Sequence, residues 1–241
     1  MLSEGKNLTA ANQNDNRFVA RLKFKKVGNL QYISHLDLQR TFNRVIKRSG
    51  IPVWYTKGFN PHMKLVFSSP LSIGSESVCE YLDLSMEGDI SCAEIMERLN
   101  RELTDELCIV DAYVAERKFL DIAWADYTCE IFCDGASESL AKDVEKLLST
   151  SPLNMIKSTK SGEKEIDIVS LIKKVDASFD AERGVLIIKA RLSATSTSFL
   201  NPEMLISAMK RELGILSGDP SREWYTIMRE ALLDAKEELF I

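Results

Sequence analysis

Apolar and polar positions alternate from Phe18 to Lys26, with Ala20, Leu22 and Phe24 on one side and Arg21, Lys23 and Lys25 on the other, which is the period of a half-buried strand. The chain then turns at Val27-Gly28-Asn29-Leu30, and the period changes. Leu38, Phe42, Val45 and Ile46 recur at helical spacing, and Ser34 stands three residues before Asp37, predicting a capped helix from His35 to about Arg48. Ser49-Gly50 stops it. Runs from Met63 to Ser68 and from Val78 to Met86, joined across Pro70-Leu71-Ser72-Ile73-Gly74, predict a hairpin. Ile95, Met96, Leu99 and Leu103 predict a second helix, and Leu107 to Val114 a closing strand. Strand, helix, two strands, helix, strand is the ferredoxin-like split βαβ order.

That order recurs in the second half. Tyr127 to Cys133 reads as a strand, and Leu140, Val144, Leu147 and Leu148 form a helical stripe. Leu153 to Lys157 and Ile166 to Ile168 are short additional strands, and Asp176 to Phe179 pairs with Val185 to Leu192 across Asp180 to Gly184. Asn201-Pro202 opens a last helix carrying Met204, Leu205, Ala208 and Met209, and Gly214 ends it. Trp224 to Met228 is the final strand, and Leu232 to Ile241 an acidic and apolar tail. The expected class is α+β, two tandem ferredoxin-like (βαββαβ) units with the second elaborated. Residues 1–16 read as a disordered tail, 17–116 as a basic domain, 117–125 as a connection and 126–241 as an acidic domain.

Composition narrows the compartment. A hydrophobic content of 45% in 241 residues suffices for a sizeable core, and no apolar run approaches the ~20 residues that cross a bilayer. The first sixteen residues lack the apolar segment of a secretory signal. Five cysteines, an odd number without a CxxC pair, fit a reducing cytoplasm. The expectation is a cytoplasmic protein with no membrane partner.

Charge carries the functional reading. Between Arg17 and Leu65 there are eleven Lys and Arg against one acid, Asp37, a local charge of +10 in a chain whose net charge is −5. The rest of the chain therefore carries −15, and segregation of this kind points to an anion-binding face. Arg40, Arg44, Lys47 and Arg48 recur along one side of the first helix, and Arg21, Lys23 and Lys25 extend the basic set onto the first strand. Lys57, Phe59, His62 and Lys64 add charge and a ring that can stack on a base. Nucleic acid, RNA above all, is the expected polyanion. Both histidines, His35 and His62, fall in this stretch. They are candidate catalytic residues for acid–base cleavage of RNA if the fold brings them together; the alternative for His35 is packing against a strand, and for His62 a surface position.

A basic strand followed by Tyr32-Ile33-Ser34-His35-Leu36-Asp37-Leu38, Gly58-Phe59-Asn60-Pro61-His62, Pro70-Leu71-Ser72-Ile73-Gly74 and Glu80-Tyr81-Leu82-Asp83 resembles the bacterial radical-SAM-linked domain of unknown function. In that family the domain is fused behind a cobalamin-binding radical SAM module or encoded beside one. The resemblance spans roughly residues 17 to 210, and this chain has Met63 where the family usually has a proline. It implies a radical SAM protein as partner and a tie to RNA or ribosome-related chemistry. The chain has no CxxxCxxC triplet for an iron–sulfur cluster, so it is not expected to be the radical enzyme itself; no metal or cofactor is expected. The function expected is a non-catalytic RNA-binding accessory subunit that presents substrate to the radical SAM enzyme. The alternatives are a metal-independent endoribonuclease using His35 and His62, or a protein-binding adaptor.

Overall fold

A computed structural model describes residues 17–159 and 162–241; the tail expected at 1–16 lies outside them. The first half runs β1 (Arg17–Lys26), α1 (His35–Ser49), β2 (Leu65–Phe67), β3 (Ser75–Glu87), α2 (Cys92–Asn100) and β4 (Leu107–Val114). The second runs β5 (Ile122–Phe132), α3 (Glu138–Ser149), β6 (Asn154–Thr159), β7 (Gly162–Asp167), β8 (Ile172–Asp180), β9 (Val185–Ser193), α4 (Glu203–Leu213) and β10 (Trp224–Asp234). Among the described residues the architecture is mixed α+β: four helices on a large mixed sheet ordered β4-β1-β3-β10-β5-β9-β8, with β2 also on β3 and β6-β7 as a separate hairpin. Among the described residues no helix is long and apolar enough to cross a membrane.

Local signals act where they were expected. Ser34 caps α1 by accepting the Asp37 N–H at 3.1 Å, and its hydroxyl donates to Asp37 Oδ2 at 2.7 Å. Gly50 ends α1 with φ of 65°, the left-handed region that glycine enters without a Cβ clash. Asn201 accepts the Glu203 N–H at the start of α4. The stretch 117–125 is shorter as a connection than expected: a 3-10 turn covers Phe119–Asp121 and β5 already begins at Ile122. β10 likewise continues six residues past Met228, because Ala231, Leu232 and Leu233 still pair with β5.

The two halves meet in one sheet through a short parallel pairing, Ile227 to Arg229 of β10 against Ser75 to Ser77 of β3. Their cores lie on opposite faces of it. Leu82, Leu84 and Met86 of β3 pack with Ala20, Leu22 and Phe24 of β1 against Leu38, Phe42, Val45 and Ile46 of α1. Cys79 and Tyr81 of the same strand belong to the core that holds α3 and α4. Because successive strand residues point to opposite faces, α1 and α2 cover one side and α3 and α4 the other. Each of the four buried α1 side chains contributes roughly 1.5–3 kcal/mol of apolar burial, so α1 has one orientation on the sheet.

Candidate nucleic-acid interface

The basic residues do not form one face. Arg40, Arg44, Lys47 and Arg48 are all exposed, and they point outward from α1 on its own side of the sheet. Lys23 and Lys25, half-buried on β1, point to the opposite side, since the intervening Leu22 and Phe24 are the residues under α1. This corrects the expectation that strand and helix share one surface. Arg21 is corrected further, being 1% exposed. Its Nε and Nη2 donate to Asp83 at 2.7 and 2.9 Å, and Nη2 also donates to the Arg117 carbonyl at 2.7 Å. Phe119 and Phe240 lie over its guanidinium at 4.3 and 5.0 Å. Segments 96 and more residues away cover this face, so Arg21 is a buried structural cation.

Several exposed cations lie on α1 and on the segment that follows it. Immediately after α1, the Pro52 carbonyl accepts the Glu87 N–H, Val53 bridges Met86, and Trp54 N–H donates to the Ser85 carbonyl. The C-terminal turn of α1, with Lys47 and Arg48, therefore sits at the end of β3. Arg17, the first residue of β1, pairs with Glu87 at the same end. From here a loop projects and closes on itself. Tyr55 bridges Met63, Thr56 N–H donates to the His62 carbonyl at 3.0 Å, and His62 N–H donates to Thr56 Oγ1 at 3.1 Å. His62 Nδ1 lies 3.0 Å from the same hydroxyl oxygen and 3.2 Å from the Asn60 carbonyl. With Met63 buried, His62 and Lys64 are left exposed beside Lys57. Phe59, at the tip, is fully exposed at 112%.

Ion pairing sorts these cations. Arg40 is 3.1 Å from Asp37 and Arg48 is 2.7 Å from Glu102 of the α2–β4 connection. Both pairs are largely in water, where such contacts are worth little. Arg44, Lys47, Lys57 and Lys64 have no acidic partner among the described residues. They are four cations available to an anion.

The two histidines have separate surroundings. His35, at the first turn of α1, meets Phe67 edge-on with ring centroids 5.0 Å apart and borders a small cavity with Lys26, Leu71 and Glu80. His62 sits in the Thr56 loop. No hydrogen bond or ring contact joins them among the described residues. No group of three metal-ligating side chains occurs among the described residues either.

What sequence reasoning missed is a buried polar cluster between the halves. Arg229 of β10 is fully buried. Its Nε donates to Glu80 Oε1 at 2.9 Å, Nη2 donates to the same oxygen and to the Ser69 carbonyl, and Nη1 donates to the Pro70 carbonyl at 3.3 Å. Burial alone would lower the Arg229 pKa, but Glu80 and the Tyr127 hydroxyl outweigh it and keep the guanidinium charged. Lys26, 3% exposed, donates to the Gln31 carbonyl at 3.2 Å, and burial, reinforced by Arg229, holds its ammonium below the ordinary lysine range. The signal was present as a charge inside an apolar run, Cys79-Glu80-Tyr81-Leu82 and Ile227-Met228-Arg229. Tyr81 also donates to the Phe240 carbonyl at 2.6 Å across the same junction.

Comparisons with known proteins add family membership. Among curated proteins nothing matches. Of solved structures, DyPB from Rhodococcus jostii RHA1 aligns over 90% of this chain and 94% of its own, at 10% identity and a TM-score of 0.23. The encapsulated DyP-type peroxidase from Mycobacterium smegmatis aligns over 85% of each, at 10% identity and a TM-score of 0.20. Likenesses this weak bear on neither fold nor chemistry. The profile of a bacterial family, described as "Uncharacterized protein conserved in bacteria (DUF2344)", matches residues 20–202, and the chain belongs to that family.

Proposed function

We propose that this protein is a non-catalytic RNA-binding accessory subunit that works beside a radical SAM enzyme in the cytoplasm. One observation carries the RNA reading: the Thr56–His62 loop, closed by its own hydrogen bonds, holds Phe59 wholly in water, with exposed Lys57 and Lys64 on either side of it in sequence. Burying such a ring would add roughly 1.5–3 kcal/mol to the fold. A preformed loop that instead offers it to solvent, flanked by cations, suits stacking on an unpaired base with phosphates alongside. Arg44 and Lys47, exposed on α1, add further cations in the same half of the chain.

The strand orders support the setting. β4-β1-β3-β2 and β10-β5-β9-β8 repeat one permutation, and we read each half as a ferredoxin-like unit; that such sheets often bind RNA is analogy from fold. The radical SAM partner rests on the motif resemblance alone. We assign its docking to the acidic second half, which leaves the basic end free. Cleavage by His35 and His62 is not assigned, since both rings would have to reach one phosphodiester. The test is crosslinking in cells followed by sequencing of bound RNA, with proteins identified from the same purification. A defined RNA together with a radical SAM protein supports the proposal. Recovery of neither, at low salt, contradicts it.

A further inference from the structure

Beside the exposed loop is a hollow of about 290 Å³ lined by Arg17, Phe18, Val19, Trp54, Lys64 and Ser85. Its wall is the half-buried Trp54 indole, with the Arg17 guanidinium over one face of the ring at 5.5 Å from its centroid. Lys64, exposed and without an acidic partner among the described residues, stands at the rim. The main chain fixes the indole, because Trp54 N–H is bonded to the Ser85 carbonyl and Val53 is bridged to Met86. An indole with a guanidinium over one face and an ammonium nearby is chemistry that holds one nucleotide, base stacked on the ring or on the guanidinium plane and phosphate against the ammonium.

The hollow does not end there. Val19 also borders a second cleft of about 730 Å³ between the halves, lined among others by Val66, Phe67, Phe119, Phe199 and Asp83. Val19 and Val66 are 37% and 38% exposed, so apolar surface continues from one hollow into the other. A duplex keeps its bases stacked inside and cannot set a base face on the indole. An unpaired strand can do so and can also carry its next base into the apolar cleft.

We propose that the Trp54 hollow is a one-nucleotide site for unpaired RNA, with the base on Trp54 and its phosphate at Lys64, and that the strand runs on past Val19 into the cleft between the halves. The proposal rests on the RNA reading and shares Lys64 with it, but turns on Trp54, apart from Arg44, Lys47 and Phe59, so the Trp54→Leu arm separates the two. Trp54 is one of three tryptophans, and its emission reports the site. The full chain is titrated with adenosine 5′-monophosphate, adenosine and ribose 5-phosphate, and separately with a labelled single-stranded RNA and the duplex of the same sequence.

The nucleotide should quench tryptophan emission and ribose 5-phosphate should not. Trp54→Leu should remove that quenching and weaken single-strand binding by roughly 5- to 150-fold, the range for losing one stacked base. Lys64→Ala, at an exposed position that leaves the fold intact, should weaken the nucleotide but not adenosine. Val19→Trp, which narrows the passage from its rim, should weaken the single strand more than the mononucleotide. Equal affinity for strand and duplex overturns the inference, as does single-strand binding untouched by Trp54→Leu and Lys64→Ala. If the mononucleotide binds as described while no RNA does, the site stands and the RNA function falls.

Discussion

Glu80→Ala would leave the wholly buried Arg229 guanidinium with two carbonyls and the Tyr127 hydroxyl, 3.5 Å away, but no counter-charge. Lys26 faces the same cluster and adds like charge. Removing one partner of a buried pair costs about 3–5 kcal/mol, a large part of the roughly 5–15 kcal/mol that keeps a domain folded. At this chain length each kcal/mol moves Tm by about 2–4 °C, so the substitution should lower Tm by roughly 6–20 °C. The cause is the stranded charge and not the lost contact. Glu80→Met with Arg229→Met should therefore recover most of the loss, because replacing both charges by apolar groups of similar volume is often close to neutral. Urea and thermal unfolding followed by circular dichroism and tryptophan emission provide the assay, with Trp54 in the first half and Trp124 and Trp224 in the second. Both probes should report one transition, since the pair spans the halves. A single-substitution cost under about 1 kcal/mol, or a double variant worse than either single one, would refute the reasoning.

Other expectations follow from individual residues. Phe59→Ala should weaken RNA binding by about 5- to 150-fold with the salt dependence unchanged, because stacking carries no counterion release; an unchanged affinity would count against the exposed ring as a contact. Burial pushes the Cys79 and Cys129 thiols up to about 12, so at pH 8 the folded protein should react with a thiol reagent at Cys92, Cys108 or Cys133 first. Equal labelling of all five would contradict the packing at the junction. The Asp37 carboxyl is held below the usual range by the Ser34 hydroxyl and then by Arg40. A depressed folded pKa contributes stability above the unfolded value and loses it as pH falls through the folded value, so Ser34→Ala should soften the acid limb of the stability curve, and an identical limb would remove Asp37 from the account.

Legibility followed the range of the interaction that decided each feature. The α1 cap, the alternation of β1 and the turn at Gly50 depend on residues within a few positions, and the sequence states them directly. Whether the polar side of β1 meets water is decided by Phe119 and Phe240, about 100 and 220 residues further on, so Arg21 read as a surface cation and is instead buried against Asp83. The opposed positions of Lys23 and Arg44 had the same cause, because strand alternation shows that two faces differ but not which one a helix will cover. Glu80 and Arg229, 149 residues apart, were visible only as charges interrupting apolar runs. Phe59 was legible as a ring among cations; its complete exposure needed the loop closure by Thr56 and His62.

The salt dependence of RNA affinity tests the central claim most directly. Arg44 and Lys47 are exposed, lack acidic partners among the described residues and lie on α1 apart from the Trp54 hollow. Each phosphate neutralised on single-stranded RNA steepens the slope of log affinity against log salt by about 0.7, so Arg44→Ala with Lys47→Ala should flatten it by roughly 1.4 and weaken binding at every salt concentration. Replacing Lys173, which is 3.3 Å from Glu237, together with Lys174 in the second half should leave both quantities unchanged. No measurable RNA affinity for the wild-type chain at ~50 mM salt, where the electrostatic term is large, or a slope indifferent to Arg44 and Lys47, would contradict the account.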